Sequence, residues 1–414
     1  MNKKSFLIAI FGMMSQYYDH HLFAFLAAVI SKTFTPSTDP VVALLNTYFI
    51  MAIAVCAKPV GALALGRIGD VFGRSATLKI SLFGAAFASL IVSLTPSYSQ
   101  IGIVSAIILL LSRMVIVALV SSGTDGVRLY VYEHIGKGRQ CFGNGLVTSS
   151  SMAGTFIAST SAWFFTLDFM PYYSWRFAIM LGTVMGFIML MLVRNDKAAQ
   201  VLTYKSEPEY DQYKDTPTLE IIHKHFKLFV ICSVLAGSIG STNHFCVLFF
   251  GTYVFKLLEY IPPSTMQLYT SIGIVLYIIS SITSGFIADL LGRKLVATSG
   301  FIGILTVTIL MTIAIKDGYM PITMYFAMMI CMPILTMPAL AFLKQSIPQA
   351  IRYRIFSLAH AIGSICISSS TPWFATLIFK ELGNWYPMLH FLVIINLIFI
   401  SIHLLCKMYN ANKY

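Results

Sequence analysis

Apolar stretches of about 20 residues alternate with short polar interruptions along the whole chain. Each is long enough to cross a bilayer as a helix. The ~10-residue alternating segments that a membrane-spanning barrel needs do not occur. The pattern predicts twelve spans, at 6–30, 42–65, 76–95, 101–125, 141–166, 176–193, 228–252, 266–288, 295–315, 320–343, 355–379 and 385–406. One long polar interruption, 194–227, is rich in Lys, Glu, Asp and Tyr and separates six spans from six. The expectation is an all-α membrane protein: an N-terminal six-helix bundle over 1–193, a linker over 194–227 and a C-terminal six-helix bundle over 228–414. The first span begins almost at Met1 and shows no small-residue cleavage site, which predicts an uncleaved first helix.

A repeat relates the halves. GRIGDVFGR (66–74) lies between two spans, and GFIADLLGRK (285–294) lies in the same position in the second half. Gly66, Asp70, Gly73 and Arg74 recur as Gly285, Asp289, Gly292 and Arg293, offset by 219 residues. Internal repeats of this kind mark secondary transporters. Glycines permit a tight turn and close helix approach. The Asp is suited to pair with an Arg or to cap a neighbouring helix N-terminus. A generic basic loop would explain one copy, but not two at matched positions.

Hydrophobic residues make up 57% of the chain and charged residues 11%, against about 25% charged in soluble domains. The net charge of +12 reports orientation rather than nucleic-acid binding. With both termini and the 66–74 loop in the cytoplasm, the inner segments hold 20 of the 28 Lys and Arg residues and the outer segments five. The seven cysteines are scattered through apolar runs without metal-ligand spacing, so they read as packing residues.

Charges inside spans are costly and face a cavity or a partner. Asp19 lies about 13 residues into span one, hence ~20 Å deep. Lys58, before Pro59 in span two, and Arg113, in span four, fall at a similar depth. A structural salt bridge would explain any one of them; three at one level favour a substrate or proton pathway. Tyr18 joins them as a candidate substrate contact. Asp125, Arg128 and Glu133 follow in span four. Asp125 and Arg128 can pair on one helix face, near the inner interface with Asp70 and Arg74. They read as a charge cluster that holds one conformation closed, with a solvated helix end as the alternative. Arg176, in SWRF (174–177), reads as an outer-surface anchor.

The second half carries few buried charges. Asn243 and His244, in STNHF (241–245) of span seven, are its best candidates for substrate contact. Gln267, Tyr269 and His360 are further polar positions, although a lone intrahelical His more often packs than binds. Pro372, in SSSTPW (368–373), should bend span eleven and free backbone groups.

These features together resemble the major facilitator superfamily, and within it the metabolite–proton symporter branch of proline/betaine, α-ketoglutarate, citrate and shikimate transporters. The resemblance covers nearly the whole chain. It rests on YYD (17–19), KPVGALALGRIGD (58–70), TPSYSQIGI (95–103), LLLSR ending at Arg113, YEH (132–134), SWRF, IPQAIRYR (347–354) and SSSTPWFATL (368–377). It implies two pseudo-symmetric six-helix bundles, a substrate site between them, alternating access by rocking, proton coupling through buried carboxylates and a monomer. By motif match, Asp19 and Arg113 are the family's charges in spans one and four. Lys58 stands where the branch has Arg, keeping the charge but losing the bidentate fork. Three departures stand out. Gly123 replaces a branch Glu, with Asp125 two residues later on a different face, which puts proton coupling there in doubt. Gln345 replaces a Glu. No long coiled-coil tail follows Tyr414, so osmotic regulation through such a tail is not expected.

The expectation is therefore a multi-pass protein of the cell inner membrane, both termini cytoplasmic, importing a small polar organic solute with protons. Its partners are that small-molecule substrate and the lipid bilayer, with no nucleic acid and no cofactor beyond the proton. Asp19, with Asp125 as a second candidate, would carry the proton. Burial raises a carboxylate's pKa and nearby cations lower it, so its occupancy can respond to substrate charge. Arg113 or Lys58 would meet a substrate carboxylate. A zwitterion such as proline or betaine fits a site with both Asp and Arg; a di- or tricarboxylate fits the two cations. A uniporter or exchanger, suggested by Gly123, and a non-transporting sensor are the other readings. No nucleophile–base set, phosphate loop or metal cluster supports an enzyme, and no GxxxxGK[ST] motif supports an ATP-driven pump.

Overall fold

The computed structural model describes residues 3–36, 40–136, 138–167, 169–195, 213, 216–250, 253–254, 258, 263–319 and 322–411. The described residues are helical in twelve successive spans, with short helices at Tyr98–Ile101 and Thr218–Lys224. Ten of the helices are long and apolar enough to cross a membrane by length and hydropathy. Spans one and five complete the set. Their composition explains why they fall short: Ser15 to His21 interrupts span one, and span five is rich in Ser, Thr and Gly. Helices facing a bundle interior can carry such residues, because they do not meet lipid.

Several spans are broken where the chemistry requires it. Span one runs Lys3–Phe25 and, after a turn at Leu26, Ala27–Phe34. Span two runs Pro40–Val55 and Lys58–Val71. The break falls at Cys56–Ala57 because Pro59 has no N–H to donate and its ring crowds the preceding turn. Span four is one helix, Ile103–His134, longer than its apolar run predicts. Asp125, Arg128 and Glu133 are thus all inside it. Span seven is α-helical over Phe226–Asn243 and continues as a π-helix over His244–Phe249. Span eleven is α-helical over Arg352–Gly363, π-helical over Ser364–Ser368 and α-helical again over Thr371–Leu382. Pro372 lies in the first turn of that last piece, just after a two-residue break at Ser369–Ser370, so the helix is interrupted next to the proline.

The repeat has a structural counterpart. Gly73 and Gly292 are the residues before spans three (Arg74–Leu94) and nine (Arg293–Lys316). Both have positive φ, 86° and 102°, with extended ψ, a conformation that costs a residue with a Cβ roughly 1–3 kcal/mol.

The chain divides into two compact units, Met1–Val131 with Ser150–Thr218, and Tyr132–Ser149 with Leu219–Tyr414. In the first, a core of Tyr18, Leu22, Leu26, Phe34, Trp175 and Ala178 joins span one to span six (Trp175–Asn195). Trp175 is buried against Phe34, edge to face at 5.9 Å. Arg176 is more than a surface anchor: its Nη1 donates to the carbonyls of Ser93 (2.5 Å) and Thr95 (2.8 Å). It thereby satisfies the exposed carbonyl end of span three and complements its dipole. In the second unit, Gly237 and Gly363 bring spans seven and eleven into backbone contact, as small residues do between membrane helices.

Candidate functional site

The first unit holds two buried polar clusters. In one, Asp19 (7% exposed) has the Ser89 hydroxyl and Arg113 (3% exposed) as its polar and charged neighbours. Room for the carboxylate comes from Gly182 of span six, whose missing Cβ would strike Asp19 Oδ1 and lie 2.9 Å from the Tyr18 ring. The Arg113 guanidinium stacks over the Phe23 ring at 4.3 Å, and its Nη2 donates to the His20 carbonyl at 3.4 Å. Its Nε is buried without a hydrogen-bond partner. Buried donors are nearly always satisfied, so this N–H is a strong candidate to receive an anionic ligand group.

The second cluster gathers Tyr17, Lys58, Asp125 and Arg128. Arg128 Nη1 donates to Asp125 Oδ1 at 2.9 Å, the pairing expected from their spacing, and Arg128 Nη2 hydrogen-bonds the Tyr17 hydroxyl. Asp125 is fully buried, so the solvated-end alternative does not describe it. Lys58, 8% exposed, has Asp125 and Arg128 as its charged neighbours. Similar depth along separate helices thus does not place Lys58 with Asp19 and Arg113: the kink before Pro59 directs it to the Asp125 cluster. Two cations share one carboxylate, an arrangement suited to a second negative charge.

Tyr17, rather than the expected Tyr18, is the tyrosine nearer the charged side chains. Tyr18 is buried in the core and donates to the Ala178 carbonyl at 2.8 Å. Tyr17, its neighbour, turns to the charges and groups its ring with those of His20 (6.5 Å) and His21 (5.3 Å). Neither Tyr17 nor Gly182 stood out in the sequence; the approximately 100° step between adjacent helical residues is the relevant signal for Tyr17.

Gly123 is packed, not open. A Cβ there would meet Ser81 Oγ and lie 3.3 Å from Gln16 Nε2. Gln16 Nε2 hydrogen-bonds Ser81 Oγ, while Gln16 Oε1 is buried without a partner. Two neutral side chains occupy the region into which a branch Glu at this position would project.

In the second unit, Asn243 and His244 stand where span seven turns from α- to π-helix. Asn243 Nδ2 donates to the Ile239 carbonyl at 3.1 Å, and its Oδ1 is buried without a partner. His244 Nδ1 is 3.0 Å from the Gly240 carbonyl and 2.6 Å from Ser368 Oγ. Ser368 ends the π-helix of span eleven, so the two irregular turns face each other. Ser241 and Thr371 hydroxyls pair at 2.5 Å beside them. π-turns recur at functional sites because they displace side chains and backbone carbonyls from the regular ladder.

The repeated loop is most informative in its second copy. Asp289 accepts the backbone N–H groups of Cys141 (3.1 Å) and Phe142 (2.8 Å) at the start of span five (Gln140–Phe165). This is the capping alternative anticipated for the Asp. Gly285 lies against the Cys141 backbone. Arg293 donates to Gln345 Oε1 at 2.8 Å and Gln140 Oε1 at 2.6 Å, so Gln345 serves as a neutral acceptor. Glu133 pairs with Arg352 at 3.2 Å. In the first copy, Gly66 and Gly73 are buried, whereas the Asp70 and Arg74 side chains lie outside the described residues, as does that of Gln267.

No family model matches the sequence. Similarity to individual proteins is extensive. The chain is 26% identical over 407 residues to a Staphylococcus aureus protein that carries the provisional name proline/betaine transporter, covering 96% of this chain and 86% of that one. It is 24% identical to the glycine betaine/proline/ectoine/pipecolic acid transporter of Dickeya dadantii, covering 99% and 84%. It is also 24% identical to the proline/betaine transporter of Salmonella typhimurium, covering 96% and 81%. Among solved structures, a proton:xylose symporter of the major facilitator superfamily superimposes with a TM-score of 0.75 at 13% identity, over 98% of this chain and 95% of that one. A fucose transporter of the same superfamily, in its outward conformation, gives 0.71 at 12% identity over 97% and 98%.

Proposed function

From its place in the major facilitator superfamily, as a multi-pass membrane transporter related end to end to proline/betaine carriers, we propose that this chain imports a zwitterionic osmolyte or amino acid by proton symport and alternating access. The observation that carries the reading is the burial of Asp19 beside Arg113 within a bundle. A carboxylate kept from water and close to one guanidinium exchanges a proton in response to whatever binds that guanidinium. A substrate carboxylate would take the Nε–H of Arg113 and weaken its hold on Asp19. Tyr17 already carries the Arg128 guanidinium 5.7 Å from its ring centroid, so a substrate ammonium group would be held by Asp19 rather than by that ring. The Asp289 cap and the Glu133–Arg352 pair are the contacts whose making and breaking would accompany each cycle. Asn243 and His244 would contribute from the second half.

The test is uptake into proteoliposomes with an acid exterior, using proline, glycine betaine, α-ketoglutarate, citrate and shikimate. Concentrative uptake of proline or betaine, abolished by a protonophore, is expected. Strong competition by dicarboxylates with none by betaine would reverse the substrate class; the Lys58–Arg128 pair of cations is what favours that second reading. Flux that equilibrates regardless of pH would instead identify a uniporter or exchanger, and the Gln16–Ser81 filling beside Gly123 would be its structural reason.

A further inference from the structure

The second unit carries a cleft that belongs to none of these clusters. It lies between spans nine and twelve (Tyr386–Ala411), encloses about 330 Å³ and is lined by Lys294, Ala297, Phe399, Ile402, His403 and Lys407, among others. Its chemistry is divided by depth. Lys294 is the second residue of span nine and Lys407 lies in the last turns of span twelve, so both ammonium groups stand at helix ends. Both side chains are exposed. Ala297, Phe399 and Ile402 form an apolar floor one or more turns further in. Phe399 is fixed there by stacking on Phe301, 4.2 Å between centroids. Cys406 also lines the cleft, close enough to Lys294 for their charges to interact.

We propose that this cleft binds the headgroup of an anionic phospholipid, with the phosphate between Lys294 and Lys407 and the upper part of an acyl chain on the Phe399–Ile402 floor. Three observations converge on that occupant. The basic groups come from two helices and meet at one end of the cleft. Below the lysines the lining includes the apolar side chains of Ala297, Phe399 and Ile402 beside Thr298, His403 and Cys406, on helices long and apolar enough to span a bilayer. The asymmetry of basic residues puts this end on the cytoplasmic side, where anionic lipids act on membrane proteins through such basic pockets. A soluble anion would use the lysines but not the floor; a neutral lipid would use the floor but not the lysines.

The experiment uses the full-length protein in neutral detergent and reads the alkylation rate of Cys406 by peptide mass spectrometry, with Cys366, which is exposed, as internal reference. Phosphatidylglycerol is expected to slow Cys406 labelling at least fivefold without changing Cys366. Lys294→Gln with Lys407→Gln should weaken that protection roughly 25-fold in lipid concentration, at about fivefold per lysine. Equal protection by phosphatidylcholine would overturn the proposal in favour of general lipid contact. Equal protection by inorganic phosphate or glycerol phosphate would overturn it in favour of a soluble-anion site. Unaltered phosphatidylglycerol protection in the double variant would also overturn it.

Discussion

Asp289 accepts the backbone N–H of Phe142 at 2.8 Å, across 147 positions of sequence. A loop charge that recurs in both halves is thereby explained, in its second copy, as a helix cap: the carboxylate meets the positive end of span five and satisfies two N–H groups that no helical carbonyl reaches. Asp289→Ala should cost about 1–2 kcal/mol of stability. It should also raise the labelling rate of buried Cys141 at least tenfold, with Asp289→Asn intermediate. Unchanged Cys141 labelling in Asp289→Ala would mean that the cap does not hold this end of span five.

Asp19→Asn should abolish concentrative uptake and flatten its pH dependence while leaving the protein folded. Counterflow, which needs binding and reorientation but no net proton movement, should survive better than uptake. A full pH-dependent gradient in the variant would remove Asp19 from the coupling role.

Gly182→Ala should lower transport at least tenfold, because its Cβ enters the space of Asp19 Oδ1. Gly12→Ala is the control: its nearest neighbours would be 3.7 Å away or more, an ordinary contact. Expression and melting temperature of both variants separate a site effect from a packing failure.

Asp125→Asn should destabilise strongly, by about 3–5 kcal/mol, because the buried cations lose their shared counter-charge. Asp125→Asn with Lys58→Gln should recover part of that loss. Lys58→Arg should be nearly neutral. Melting temperatures in one detergent give the comparison, and additivity of the two losses would show that the side chains do not interact.

Gly123→Glu alone should misfold or lose transport, since the introduced side chain meets Ser81 and Gln16. Combined with Gln16→Ala it should express and show a steeper pH dependence of uptake. Initial rates across external pH 5–8 make the measurement.

Most of the architecture was legible in the sequence. The length of the apolar runs and the 219-residue repeat are properties of lipid immersion and of backbone sterics, and both act locally. The position of Gly73 and Gly292 at positive φ is the repeat seen in dihedral angles. The candidate site was legible in its residue types but less so in its groupings. Depth along a helix says nothing about azimuth, so adjacent Tyr17 and Tyr18 could not be distinguished. Shared depth with Asp19 and Arg113 did not reveal that the charged neighbours of Lys58 are Asp125 and Arg128. Span four outran its prediction because its polar residues are sheltered inside the bundle, where hydropathy no longer marks the helix end. Gly182 was invisible because what it provides is space.

The facing π-turns of spans seven and eleven have a consequence for heredity as well as for shape. A π-turn accommodates one extra residue in an otherwise regular helix, and each residue turns an α-helix by about 100°. Loss of a single codon from HFCVLF or SICIS would therefore close the wide turn into an ordinary α-turn and leave the residues beyond it on nearly the same faces. A one-residue length difference at either place is thus expected to be a wide turn gained or lost, with the lining residues that follow keeping their correspondence.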